Sequence, residues 1–102
     1  MEEYKNHTFA ICAYKESEYL EECIKSLKAQ TIKSSIIMAT STPNSFIENL
    51  AKKYQIHLFI NNGEKGIGQD WNFAVSNAKT DYVTVAHQDD IYKPKYLEAI
   101  VE

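Results

Sequence analysis

Short apolar runs alternate along the chain with longer segments whose apolar residues recur at helical spacing. Four such runs predict strands at residues 8–13, 35–39, 56–60 and 82–86. The segments between them, and the one after the last, predict helices, which gives the order βαβαβαβα. Short connections between alternating strands and helices imply a mostly parallel sheet with helices on its faces and right-handed crossovers.

Helix starts are predicted from capping residues. Ser17 and Thr42 are the expected N-caps of the first and second helices, with Pro43 at the first helical position of the second. Pro94 is expected to open a fourth helix over residues 94–101. The predicted apolar stripes consist of Leu20, Cys23, Ile24 and Leu27, then Ile47, Leu50, Ala51 and Tyr54, then Ile67, Trp71, Ala74, Val75 and Ala78.

Composition narrows the class of protein. A chain of 102 residues predicts one domain, and a net charge of -3 argues against a nucleic-acid partner. All eleven basic residues are lysine, so no arginine is available to clamp a phosphate. Cys12 and Cys23 are expected to be buried free thiols, in keeping with a reducing cytoplasm. No apolar run approaches the length of a membrane span, and the N-terminus has no signal-peptide core.

The most informative segment is His87-Gln88-Asp89-Asp90, which directly follows the fourth predicted strand. Open α/β sheets bind ligands at the carboxyl ends of their strands. Two adjacent carboxylates there suit Mg²⁺ or Mn²⁺, which can in turn hold a diphosphate. The alternative is that Asp89 and Asp90 only cap the following helix.

The loops after the other strands would meet at the same edge of the sheet. They offer the ring of Tyr14, the hydroxyls of Thr40 and Ser41, and a glycine-containing loop over residues 61–68. A ring to stack on a base, hydroxyls for a ribose and a metal for phosphates would form a nucleotide site. The glycines match neither the phosphate loop of nucleotide hydrolases nor the dinucleotide motif.

These segments together resemble the N-terminal half of family 2 glycosyltransferases, which have the GT-A fold. Residues 9–31 resemble the first strand, nucleotide loop and first helix of that family, and residues 36–54 its second strand and helix. Residues 61–72 resemble its N-x-G-x-G-x-x-x-N segment, and residues 81–94 the strand that ends in its D-x-D motif. The resemblance implies a three-layer α/β/α, Rossmann-like half of a GT-A fold, with about four parallel strands in the order 3-2-1-4.

The resemblance also implies site residues. Tyr14 and Glu16 would face the base and ribose, and Asn72 would support the edge of the site. Asp89 matches the second D-x-D aspartate and Asp90 the acidic residue that often follows. The implied nucleotide-sugar-binding set is Ala13, Tyr14, Glu16, Thr40, Ser41, Gly68, Asn72, Gln88 and Asp89, with Asp89 and Asp90, and possible help from His87, as ligands of Mg²⁺ or Mn²⁺.

The chain departs from the family pattern at three places. His87 stands at the first D-x-D position, Thr40-Ser41 replaces the aspartates that usually follow the second strand, and Trp71 replaces a frequent arginine. Mg²⁺ and Mn²⁺ prefer oxygen ligands, so ordinary hydrogen bonding is the expected role of His87. Trp71 is expected to pack in the core, His57 to be buried or at a sheet edge, and His7 to be solvated.

The resemblance implies a donor-binding portion of an inverting glycosyltransferase for cell-surface glycans, cytoplasmic or peripheral to the inner face of the membrane. Residues 1–102 would form a single donor subdomain, truncated before the acceptor-binding half and its catalytic base, and inactive alone. An uncovered edge at the fourth strand would favour a homodimer. Two alternatives stay open: a non-catalytic binding or interaction module, and a metal-dependent phosphohydrolase that uses His87, Asp89 and Asp90.

Overall fold

Four strands and four helices alternate in a computed structural model that describes residues 2–63 and 67–100. All four strands and the apolar faces of the first two helices were predicted, although β1 and β2 are longer than expected. The elements are β1 (Glu2–Ala13), α1 (Leu20–Lys28), β2 (Ile32–Thr40), α2 (Ser45–Lys53), β3 (His57–Ile60), α3 (Ile67–Ser76), β4 (Tyr82–His87) and α4 (Tyr96–Ile100). Residues 64–66 of the expected glycine loop, and Val101 of the expected last helix, lie outside the described residues.

The strands form one parallel sheet in the order β3-β2-β1-β4, which confirms the predicted topology. β1 lies in the interior of the sheet, and the last residues of β1 pair with the last residues of both neighbouring strands. Ala13 pairs with Thr40 of β2, and Cys12 pairs with His87 of β4. The register therefore brings the polar ends of three strands to one edge. β3 and β4 are the outer strands, and association through β4 stays a prediction.

Helices cover both faces of the sheet and complete the three predicted layers. Alternate residues of β1 point to opposite faces. Phe9 and Ile11 pack in a core with α1, α2 and α4, whereas Ala10 packs with Ala74 of α3 on the other face. A strand buried on both sides needs a nearly continuous apolar sequence, which explains the unbroken apolar run in β1.

All three predicted helix starts are wrong by a few residues. Ser17 lies two residues before the N-cap position of α1, where its hydroxyl accepts a hydrogen bond from the Tyr19 N–H. Asn44, rather than Thr42, caps α2, because its Oδ1 accepts from the Ile47 N–H at 2.9 Å. Pro43 therefore precedes the cap.

The last helix also begins later than expected, because bonds to other parts of the chain hold the residues before it. α4 begins at Tyr96, and Pro94 lies in the preceding turn, where its carbonyl accepts from the Thr31 N–H at 2.8 Å. The side chain of Gln30, almost fully buried, donates to the Lys93 carbonyl and accepts from the Leu97 N–H. Bonds from Gln30 and Thr31, which follow α1, thus set the position of this segment, and local capping preferences could not predict them.

Of two histidines with a predicted environment, His57 lies at a sheet edge as expected and His7 does not. His7 is buried instead of solvated, and its ring nitrogens lie 2.8 Å from Ser34 Oγ on β2 and 2.8 Å from Thr84 Oγ1 on β4. Its ring also meets that of Phe9 edge to face. His57 lies on the outer strand β3, exposed and stacked on Phe59.

Within residues 2–63 and 67–100, no helix combines the length and apolar character that crossing a bilayer requires.

Candidate functional site

A cavity of about 860 Å³ opens at the carboxyl edge of the sheet. Its volume lies in the range typical of small-molecule sites. The walls come from the ends of all four strands and from α3. The lining residues are Cys12, Ala13 and Tyr14; Ala39, Thr40, Ser41 and Thr42; Asn61; Asp70, Trp71 and Phe73; and His87, Gln88 and Asp89.

The loop after β1 forms the middle of the cavity and is held from both sides. The Gln88 side chain accepts from the Tyr14 N–H at 2.9 Å and donates to the Tyr14 carbonyl at 3.1 Å. On the other side, the Lys15 N–H donates to Thr42 Oγ1 at 2.6 Å. These bonds hold Lys15 at a φ of 54°, a left-handed conformation that costs energy for a residue other than glycine. The Tyr14 ring remains half exposed beside the cavity.

The tip of β4 contributes Asp89 and His87. Asp89 is exposed, and its Oδ1 accepts from the Ser17 hydroxyl at 3.3 Å. The Asp90 N–H closes a turn onto the His87 carbonyl, and the Asp90 side chain, also exposed, is not among the lining residues. From below, the thiol of Cys23 donates to the same carbonyl at 3.4 Å.

Trp71 lies in the wall of the cavity, so the expectation that it packs in the core is wrong. It is 40% exposed, and its ring centroid lies 5.2 Å from that of His87 in an edge contact. Two of the residues that depart from the family pattern, His87 and Trp71, thus touch each other. This contact makes the His87 ring part of the cavity wall.

The opposite wall carries a second carboxylate. Asp70 lies in the first turn of α3, and its two oxygens accept from Ser41 Oγ and Asn61 Nδ2, each at 3.3 Å. Ser41 and Asn61 are buried at the ends of β2 and β3.

Both cysteines are free thiols with suppressed ionisation. Burial, helped by the negative charge of Asp70, raises the pKa of Cys12 to about 11. Burial, helped by Asp90 and Asp89, raises the pKa of Cys23 to about 12. Cys23 is buried as expected, whereas Cys12 is partly exposed in the cavity wall. Neither environment favours the thiolate that nucleophilic chemistry needs.

Comparison with known proteins identifies the family. The sequence profile described as "Glycosyl transferase family 2" matches residues 8–102. The chain belongs to this family. It is 36% identical to an uncharacterized glycosyltransferase of Methanocaldococcus jannaschii, over 86% of this chain and 33% of that protein. It is 30% identical to an uncharacterized glycosyltransferase of Rickettsia felis, over 86% of this chain and 15% of that protein.

The fold is shared with a solved structure. The crystal structure of S. aureus TarS 1–349 superposes with a TM-score of 0.83 at 16% identity, over 94% of this chain and 31% of that one. The family 2 chain thus has the GT-A fold, and it spans a third or less of the length of the curated relatives that it matches.

Six residues of the expected nucleotide-sugar-binding set line the cavity. They are Ala13, Tyr14, Thr40, Ser41, Gln88 and Asp89. Glu16 and Asn72 are exposed and lie outside the lining, while Gly68 is in the first turn of α3. Of the expected metal ligands, Asp89 and His87 line the cavity and Asp90 does not.

The side chains that could ligate a metal ion limit the kind of metal that would fit the cavity. In the part of the chain that the structure describes, no group of three histidine, cysteine or acidic side chains could enclose a metal ion. Mg²⁺, however, is usually held by one or two carboxylates together with substrate phosphates and water. The exposed Asp89 carboxylate fits that arrangement.

Asp70 is the acidic residue of the cavity lining that was not predicted from the sequence. Helical spacing of apolar residues predicts the stripe of α3 that includes Trp71, and it assigns no role to the polar residue Asp70 beside it. A usable signal was available: Asp70 is the acidic residue nearest to the glycine loop on its helical side. Its contact with Ser41 and Asn61 depends on where α3 crosses the sheet.

Proposed function

We propose that this chain is the donor-binding portion of a family 2 glycosyltransferase and that its cavity binds a nucleotide-diphospho-sugar. The observation that carries the proposal is the convergence of Tyr14, Thr40, Ser41 and Asp89 on one cavity at the carboxyl edge of the sheet. This edge is where parallel α/β sheets bind ligands. Family membership supplies the reaction class.

Each wall suits a different part of such a ligand. The exposed Tyr14 ring can stack on a base, and the side of the cavity lined by Thr40 and Ser41 can hold polar groups of the nucleoside. Asp89, on the opposite wall, would hold Mg²⁺ or Mn²⁺ on the diphosphate. When bound, the cation would offset the negative charge that develops on the departing diphosphate.

In this proposal the residues of the chain bind and orient the nucleotide-diphospho-sugar. In inverting transfer, an acceptor hydroxyl forms a bond to the anomeric carbon while the bond to the diphosphate breaks. We assign no described residue as the base that removes the acceptor's proton, and we therefore expect no transfer by this chain alone. A role in cell-surface glycan synthesis and a cytoplasmic or membrane-peripheral location are proposed from the family resemblance, and no acceptor is assigned.

One test separates this proposal from its alternatives. Calorimetric titration with uridine, cytidine, adenosine and guanosine diphosphates, with and without Mn²⁺, should give binding that depends on the metal. Absence of binding to every nucleotide would favour an interaction module. Release of inorganic phosphate would favour a phosphohydrolase, although Asp90 lies outside the cavity lining.

A further inference from the structure

The wall formed by the ends of β2 and β3 holds the Asp70 carboxylate in a fixed orientation. Its Oδ2 accepts from Ser41 Oγ and its Oδ1 from Asn61 Nδ2. Both donors are nearly buried, with 4% of Ser41 and 8% of Asn61 exposed. Asp70 itself is only half-buried and lines the cavity.

The Asn61 amide has little freedom to turn away. Its backbone N–H donates to the Thr40 carbonyl at 2.8 Å, and its Oδ1 accepts from the Gly63 N–H at 3.0 Å. With Oδ1 engaged by Gly63, the amide nitrogen is directed at Asp70. The carboxylate is therefore positioned before any ligand enters.

Neutral donors position this carboxylate without cancelling its charge. A carboxylate can accept about four hydrogen bonds, and the two from Ser41 and Asn61 leave acceptor capacity toward the cavity. Within residues 2–63 and 67–100, the ion pairs are Lys25–Glu22 and Lys53–Glu21, so none involves Asp70. The charge is felt in the cavity wall, where it contributes to the raised pKa of Cys12.

A carboxylate with this geometry selects among the parts of a nucleotide. It attracts hydroxyl and N–H donors, and it repels phosphate. The nucleoside would therefore lie against Asp70. The diphosphate would lie against Asp89 on the other wall, where the Asp89 carboxylate accepts from Ser17.

We propose that Asp70 is a specificity-determining residue that accepts hydrogen bonds from the nucleoside of the bound donor. The inference rests on the proposed function and adds to it the residue that recognises the nucleoside. The hydrogen-bond donors are either the ribose hydroxyls or N–H groups of the base, and both present the same chemistry to a carboxylate.

The test is a comparison of Asp70→Asn with the wild-type chain. Affinities are measured for the four ribonucleoside diphosphates, their 2′-deoxy forms and inorganic pyrophosphate, all with Mn²⁺. Asparagine keeps the shape but loses the charge, so affinity for the preferred nucleoside diphosphate should fall about tenfold or more. Pyrophosphate affinity should stay within about twofold of wild type or rise, because the repulsion from Asp70 is removed.

Control variants keep the result interpretable. Glu48→Gln removes one negative charge from the exposed face of α2 and should leave every affinity unchanged. Ser41→Ala removes one of the two bonds that orient Asp70 and should give a smaller loss confined to nucleosides. If Asp70→Asn is poorly folded by circular dichroism, the Ser41→Ala result decides.

The ribose and base sources are separated by the deoxy series. A penalty in the wild type for losing the 2′-hydroxyl that disappears in Asp70→Asn assigns the bond to that hydroxyl. Equal losses for both sugars assign it to the 3′-hydroxyl or the base, which 3′-deoxy nucleoside diphosphates then separate. Wild-type affinity for nucleosides in both Asp70→Asn and Ser41→Ala would overturn this inference alone. Failure of the wild type to bind any nucleotide would overturn the proposed function and the inference with it.

Discussion

At the amino end of the sheet, His7 is buried and both of its ring nitrogens are bonded, to Ser34 on one neighbouring strand and to Thr84 on the other. At the carboxyl end, His87 is exposed, lines a cavity and meets the Trp71 ring edge-on. The residue type is the same, but the fold uses the polar atoms of one and presents the other to solvent.

The carboxylates repeat this contrast. Asp81, at the start of β4, exchanges two hydrogen bonds with the Asn6 side chain, one through its carboxylate and one through its backbone N–H. Asp89, at the end of the same strand, has only the Ser17 hydroxyl at 3.3 Å among the contacts of the described residues. His7 and Asp81 at the amino end therefore stabilise the fold, whereas His87 and Asp89 at the carboxyl end remain available to a ligand.

The largest effect is expected from His7→Ala. The change removes a buried ring from Phe9 and leaves the Thr84 hydroxyl without its bond, so the free energy of unfolding should fall by about 2–4 kcal/mol. Urea denaturation measures it. His57→Ala, on the exposed outer strand, is the matched control and should cost less than about 1 kcal/mol. Equal costs would remove the distinction between the two histidines.

The converse test is Asp89→Asn at the carboxyl end. We expect the Mn²⁺ dependence of nucleotide diphosphate binding to disappear and affinity in Mn²⁺ to fall about tenfold or more, with stability nearly unchanged, because the carboxylate is exposed. His87→Ala should matter less. Calorimetry reads the affinity, and Asp81→Asn serves as the control. Wild-type metal dependence in Asp89→Asn would contradict the assignment.

The amino-end histidine should also make stability depend on pH. Burial lowers the pKa of His7 in the folded state below the value of 6.5 expected when it is unfolded. The folded protein therefore keeps this ring neutral while the unfolded chain takes up a proton. Stability from this group is fully present above about pH 6.5 and declines as the pH falls toward the folded-state pKa, with a slope of at most about 1.4 kcal/mol per pH unit.

Thermal or urea unfolding of the wild type and His7→Gln from pH 7.5 to 5 checks this sign. The difference in stability between the two proteins should shrink as the pH falls. A difference that stays constant would show that the His7 ring binds protons equally in both states.

The smallest effect is expected from Trp71→Phe. Since Trp71 is 40% exposed, stability should change by about 0.5 kcal/mol or less. Trp71 is the single tryptophan of the chain, so its emission in the wild type should also respond when a nucleotide fills the cavity. A loss of 2 kcal/mol or more would restore the core role that the helical stripe suggested.

Much of the fold was predictable because a parallel sheet requires apolar strands and striped helices. Phe9 and Ile11 indicate a buried strand, and Leu20 and Ile24 indicate the buried face of a helix. These predictions do not require knowing which residues they pack against. The helix starts were less predictable, since the run Thr42-Pro43-Asn44 offers two capping side chains and tertiary bonds decide between them. The last helix depends on Gln30, which acts from a different part of the chain.

The site was predictable where residues follow strands and unpredictable where they come from helices. Thr40 ends a strand, Tyr14 and Asp89 follow the ends of two others within two residues, and parallel topology brings strand ends together. Asp70 and Trp71 reach the cavity only because α3 packs over the opposite face of the sheet. The burial of His7 was unpredictable for a similar reason. Its two partners belong to β2 and β4, which come to lie on either side of β1 only in the folded sheet.

Two glutamine side chains anchor the two ends of the segment from Gln88 to Lys93, which contains Asp89, and this affects the entropy of ligand binding. Gln88 fastens the start of the loop to the Tyr14 backbone, and Gln30, which follows α1, binds the Lys93 carbonyl and the Leu97 N–H at its end. A segment anchored at both ends loses little conformational freedom when a ligand arrives, because most of that loss has already occurred on folding. Gln30, which is not part of the cavity lining, should therefore influence affinity by limiting how widely the free loop can fluctuate.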